Sequence, residues 1–276
     1  TASFLSQKIN SEQRVKLFKE IERFIFVTFR LSRAFSTYRN SEFYRASRKL
    51  RKNELSIDSI IQILQERMDY CFYTPEETEE NYFDYTYFQK FIDKKFKRGG
   101  GFYYWNGLRY FLYEYEMDKV RQRGSQKIDW KLFVKGEKDK VSIEHIYPQT
   151  PDHKDWKSSF KGQKKSNQKF FQGSLGNLLP LSQSINSSLQ NDCFDDKKKP
   201  KYNDRKEKIR QGYLDGSHSE IEVANYQEWN ADSILERGNK LLEFMEKRWD
   251  LKFENDEAKS ELLFLEFMLE NKEEKE

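Results

Sequence analysis

The sequence predicts a mainly α-helical chain with a small α+β part, and three observations carry that expectation. Apolar residues recur at helical spacing through most of the first half. Short alternating stretches at Val141, Ile143 and His145 and again over residues 174–179 break the pattern, as brief strands would. Pro148, Pro151 and a long lysine-rich loop separate those two stretches. A boundary near Gly136 is expected, with residues 1–135 forming a helical bundle and residues 136–276 a second domain closed by C-terminal helices.

Taken in order, the first helix starts after Asn10, which with Gln13 can form a reciprocal cap, and runs to about Ser36 with Phe18, Ile21, Ile25 and Phe29 on one stripe. A second helical stretch passes through Tyr44 and Leu50. A third opens after Ser56 and carries Ile57, Ile60, Ile61, Leu64 and Met68, and Thr74-Pro75 ends that region. Tyr87 to Phe96 reads as another helix, closed by Gly99-Gly100-Gly101. Tyr104, Leu108, Phe111, Leu112 and Tyr115 then recur at helical spacing, so this half reads as wholly helical and its aromatic residues as core. No Gly-Lys-Ser or Gly-Lys-Thr follows the triple glycine, which points to a helix-ending turn and not to a phosphate loop. Beyond the two short strands, residues 182–189 read as a helix start and residues 212–219 as a looser connection with an exposed His218. Ser233 with Glu236 suggests a capping box for a helix bearing Ile234, Leu241, Leu242, Met245 and Trp249, and a last helix is expected over residues 262–269.

The composition excludes several classes. At 36% hydrophobic and 35% charged, the core has to lean on 23 Phe, 16 Tyr and 5 Trp. No apolar run is longer than Phe24 to Val27, far short of the roughly 20 residues of a membrane span. The start at Thr1 resembles no cleavable signal, and the lack of an initial Met suggests a piece of something longer. Cys71 and Cys193 are too few and too distant for a disulfide framework or a zinc ribbon, and read as reduced thiols of a cytoplasmic protein. No dinucleotide-binding fingerprint and no Gly-x-Ser-x-Gly elbow occurs. The formal net charge of +4 averages unlike segments: residues 1–153 carry +6, residues 154–210 carry +8 and residues 211–276 carry −10. The middle island, with Lys164, Lys165 and Lys197-Lys198-Lys199, suits a polyanion such as nucleic acid, or is a solvated lysine-rich loop.

With three histidines, proposals for acid–base chemistry are few. His145 is the informative one, at the end of a short strand in Ile143-Glu144-His145-Ile146-Tyr147-Pro148-Gln149. On a strand Glu144 and His145 point to opposite faces, so a shared site requires the strand to end or twist there. His153 competes as a base or ligand from within a loop. The order Glu-His-Ile-x-Pro, a basic loop, Gly176-Asn177-Leu178 and then Asn186 nine residues on resembles the ββα-metal (HNH, His-Me finger) nuclease motif. Adding Asn186-x-x-Leu189-x-Asn191-x-x-Phe194-x-x-Lys197, Trp229, Ile234, Arg237, Leu241 and Trp249, the chain is more closely similar to the C-terminal nuclease domain of GmrSD-type restriction enzymes and of SspE-like phage-defence proteins, over residues 135–250. The Tyr103 to Glu116 segment is similar to the helical connector that precedes that nuclease.

The resemblance implies a divalent-metal-dependent DNA endonuclease acting against foreign or phage DNA. A ParB-like nucleotidase domain would lie upstream; its Asp-Gly-Gln-Gln-Arg signature does not occur in this sequence. His145 would be the general base, with Asn177 or a nearby backbone carbonyl fixing its tautomer. Glu144 and Asn186 would supply oxygen ligands to Mg²⁺ (or Mn²⁺). Lys164, Lys165, Asn191 and Lys197 would hold the DNA backbone. A catalytically silent DNA-binding scaffold, or a ribonuclease using the same site, are the alternatives.

Overall fold

The computed structural model describes residues 10–32, 37–124, 142–181, 189 and 191–269. The chain packs as two units, one formed by residues up to Lys90 with Arg248–Glu254, the other by Phe91–Lys247 with the residues from Asn255 onward. The division expected at residue 135 falls outside the described residues.

In the first unit, α1 (Ser11–Phe26) continues as a π-helical stretch over Val27–Ser32. Asn10 caps it, its Oδ1 accepting the Gln13 N–H at 2.8 Å, which is one half of the reciprocal cap expected. The expected stripe is off by one position: Phe18 and Ile25 are exposed, whereas Leu17, Phe24 and Leu31 are buried. Partner geometry decides between two adjacent apolar rows. Leu17 meets Leu50 of α2 (Asn40–Arg51) and Ile57 and Ile61 of α3 (Ile57–Glu66), with Ile21 and Ile60 packed alongside. This half is not wholly helical either. β1 (Phe72–Tyr73) and β2 (Tyr82–Phe83) pair antiparallel, too short to leave an alternation in the sequence. The Phe83 N–H donates to the Lys252 carbonyl at 2.8 Å, and Phe26 stacks on Trp249 with centroids 3.8 Å apart, so the returning segment belongs to this core.

Helix α4 (Thr86–Phe96) ends at the glycine run, where Gly99 takes φ +82° as a helix-ending residue does. After α5 (Leu108–Arg123), β3 (Ile143–His145) pairs antiparallel with β4 (Leu178–Pro180) in the register Ile143↔Pro180, Glu144↔Leu179, His145↔Leu178. Between them lie α6 (Lys154–Ser159) and α7 (Gln168–Gly173). Leu175–Asn177, expected within the second strand, form a 3₁₀ turn that delivers the chain into β4. The helix expected from residue 182 lies outside the described residues apart from Leu189. α8 (Phe194–Lys198) and the hairpin β5 (Lys201–Tyr202)–β6 (Lys208–Arg210) follow, then α9 (His218–Ala224), α10 (Ala231–Trp249) and α11 (Asp256–Leu262).

The capping box lies not at Ser233 but at Ser217 with Glu220, opening α9 in the stretch read as a looser connection. Asn230 caps α10 instead, its Oδ1 accepting the Ser233 N–H at 3.0 Å. His218 is buried, because the Glu116 carboxylate of α5 accepts its N–H at 2.9 Å and the N–H and Oγ of Ser219 at 2.8 and 2.6 Å, drawing the start of α9 onto α5. Asn255 caps α11, which ends at Leu262 where the last helix was expected to begin; the chain turns over residues 263–266 and is helical again over 267–269.

Gly176 shows why the turn before β4 needs a glycine. A Cβ there would sit 2.0 Å from the Ile234 carbonyl oxygen of α10. Gly176→Ala is therefore expected to destabilise the protein by about 2 kcal/mol or more through forced displacement of α10. Urea unfolding of the variant beside the unaltered chain measures it.

Candidate active site

The end of β3 is stitched to the turn that enters β4. Asn177 does most of this: its carbonyl accepts the Ile146 N–H at 3.0 Å, its Oδ1 accepts the Tyr147 N–H at 2.7 Å, and its Nδ2 donates to the Tyr147 and Gln172 carbonyls at 2.9 and 3.1 Å. Trp229 adds an indole N–H to the same Oδ1 at 3.0 Å. The Gln172 Nε2 in turn donates to the carbonyls of Pro148 and Gln149, both at 2.8 Å. Arg237, fully buried, donates to the Gly176 and Leu178 carbonyls at 2.6 and 2.9 Å. Asn177 and Gln172 thus bond backbone groups along loop 146–149, which holds His145 at a defined place. The side-chain amide of Asn177, expected to orient the imidazole unless a nearby backbone carbonyl does so, is engaged by Tyr147, Gln172 and Trp229.

His145 is partly buried, with the Tyr103 ring 4.8 Å from its own and inclined by 30°. Burial first, and the Lys197 charge second, bring its pKa down to about 4. The imidazole is therefore neutral at neutral pH, the form that accepts a proton.

Glu144 points to the opposite face, as strand geometry requires. Its Oε1 lies 2.7 Å from the Lys197 Nζ, which also donates to the carbonyls of His145 and Ile146 at 3.2 and 3.0 Å. Both side chains are almost wholly inaccessible, 5% and 0% exposed. Burial pushes the Glu144 carboxyl up and the Lys197 ammonium down, and each charge opposes the shift of the other. Three oxygens satisfy the three N–H groups of the ammonium, so the charged pair has the partners that burial demands. The DNA-contact role expected of Lys197 is corrected accordingly: it is a buried tie between α8 and β3. The same contact bears on the expected metal site. With an ammonium on its carboxylate, Glu144 offers a hydrated divalent cation no ready ligand, and Asn186 lies outside the described residues.

The remaining residues are spread around this centre. Lys164 and Lys165 are exposed on the loop between α6 and α7, and with Lys157, Gln163 and Tyr147 they border a cavity of about 410 Å³. Asn191 is exposed, and its backbone carbonyl receives the Trp156 indole. Tyr103 and Tyr104, read from their spacing as core, are among the exposed aromatics, while Trp105 and Phe111 are buried. Sequence reasoning missed Gln172 and Tyr103. A glutamine in a basic loop carries no local signal, and Tyr103 sat within an aromatic-rich stretch that helical spacing explained well enough.

A family model described as GmrSD restriction endonucleases, C-terminal domain, matches residues 37–244. The chain belongs to that family. No curated protein and no solved structure matches it. The stretch shared with the GmrSD family contains the whole constellation built above, from Tyr103 through His145 and Asn177 to Lys197, Trp229 and Arg237. A restriction-endonuclease-related role is thereby shown for the chain.

Within this GmrSD-family domain the Glu144–Lys197 pair is expected to behave as one unit. Lys197→Met leaves a buried carboxylate and two carbonyls unpartnered and should cost about 3–5 kcal/mol. Glu144→Met in the same molecule should return a large share of that loss, giving a coupling of about 2–3 kcal/mol in a double-mutant cycle followed by denaturant unfolding.

Proposed function

We propose that the chain is a DNA endonuclease of the ββα-metal type, with His145 as the general base that deprotonates the attacking water. The observation that carries this reading is the His145 imidazole at the end of β3, followed by a loop that Asn177 stitches in place and whose Tyr147 borders the same cavity as the exposed Lys164 and Lys165. Hydrolysis of a phosphodiester needs a proton acceptor for water, a fixed attack direction and positive charge around the phosphate. His145 supplies the first. The tied loop 146–149 and the Tyr103 ring support the second by limiting how the imidazole turns. The lysines of the loop supply part of the third.

Dependence on Mg²⁺ or Mn²⁺ rests on the resemblance alone, since Lys197 occupies Glu144, the one described residue of the expected ligand pair. Restriction of foreign or phage DNA in the cytoplasm, directed by a ParB-like nucleotidase domain of the same protein, completes the proposal and rests on the resemblance alone. Among the described residues no helix is long and apolar enough to cross a membrane.

The engagement of Glu144 by Lys197 favours one other reading, a module that binds DNA without turning it over. A plasmid-nicking assay with Mg²⁺ or Mn²⁺ separates the two. Nicking by the unaltered chain, its loss on chelation and its loss in His145→Ala with DNA binding retained are the expected results. Equal nicking by both proteins contradicts the role of His145; binding with no nicking by either supports the silent module. Replacing Lys164 and Lys165 by Ala should weaken DNA binding uniformly across sequences and lower the slope of log affinity against log salt by about two, as measured by fluorescence anisotropy over a salt series.

A further inference from the structure

A second group of titratable side chains lies at the other end of the α8 turn. His153 caps α6, its Nδ1 accepting the Asp155 N–H at 3.3 Å. That bond leaves the lone pair on Nδ1 and the proton on Nε2. The Asp155 Oδ2 lies 3.5 Å from the same Nδ1, and one ligand atom from each of His153, Asp155 and Cys193 lies within 4.8 Å of the others. The buried Cys193 thiol also meets the carboxylate of Asp196. An imidazole nitrogen, a carboxylate oxygen and a sulfur therefore come together from two segments far apart in sequence, and a cation held at Nδ1 would take over the lone pair that now accepts the Asp155 N–H.

The donor types select the ion. A thiolate and an imidazole favour zinc-class metals over Mg²⁺ or Ca²⁺. Tetrahedral zinc, with bonds of about 2.0–2.3 Å, places its ligand atoms about 3.5 Å apart, so the Nδ1 to Oδ2 separation is already right and the sulfur needs to close by about 1.3 Å at most. A cavity of about 200 Å³ bordered by Asp155 and Cys193 leaves space for water in the fourth position.

We propose that His153, Asp155 and Cys193 form a Zn²⁺-class metal site that clamps the start of α6 to the start of α8. On binding, the thiol releases its proton to solvent and sulfur coordinates as thiolate, with no change of oxidation state. The Lys197 N–H donates to the Cys193 carbonyl at 3.0 Å, so the clamp bears on the helical turn that carries the Lys197 ammonium to Glu144.

Titration of the metal-free full chain with Co²⁺ tests the site by its spectrum and is independent of any cleavage activity. The expected result is a set of tetrahedral Co²⁺ bands with thiolate-to-cobalt charge transfer, abolished by added Zn²⁺ and lacking charge transfer in Cys193→Ser. His153→Gln, at a half-buried position, should bind Co²⁺ at least tenfold more weakly; it carries the test alone if circular dichroism shows Cys193→Ser unfolded. Absence of charge transfer in the unaltered chain, its persistence in folded Cys193→Ser, or unchanged affinity in His153→Gln overturns the proposal.

Discussion

The ammonium of Lys197 is the contact on which the site depends. It reaches a carboxylate on one residue of β3 and the carbonyls of the two residues that follow, so a single side chain fixes the strand end in three places. Taking an ion pair this far from water is costly unless every charge has partners, and here the geometry supplies them. The pair also sets the electrostatics next door. A cation close behind His145 adds to burial in keeping the imidazole neutral. One interaction thus joins the position of the α8 turn, the termination of β3 and the protonation state of the proposed base.

The β4 side performs the complementary task. Gly176 lets the 3₁₀ turn lie against the backbone of α10, Arg237 of that helix binds the carbonyls on either side of Asn177, and Trp229 holds the Asn177 amide oxygen. The Gly-Asn-Leu sequence accordingly has a physical meaning at each position: close approach, a stitch between two backbones, and a strand residue opposite His145. Buried amide networks of this kind have no slack, because a lost partner strands a polar group in the interior.

Much of this was legible in the residues. Proline after His145, glycine and asparagine before β4 and caps at Asn10 and Ser56 are local signals, and they mark elements that the structure contains. The family resemblance, too, was carried by Glu144, His145, Gly176, Asn177 and Lys197 before any fold was known. What stayed hidden depends on partners distant in sequence. The motif marks Lys197 among three consecutive lysines, yet nothing in the sequence shows that the fold buries it against Glu144. Adjacent rows of α1 are both apolar, and which is covered is decided by α2 and α3. Pairs as short as β1 and β2 leave no periodicity to read.

The central claim is that the folded chain keeps His145 neutral at the end of β3. An NMR pH titration of the imidazole C–H signals, with the His145 signal assigned by its loss in His145→Gln, measures this directly. The account predicts a His145 midpoint near 4, its signal unmoved as pH falls through the ordinary histidine range of about 6.5. A His145 midpoint at about 6.5 would contradict it, showing an imidazole that is neither buried nor under the influence of Lys197.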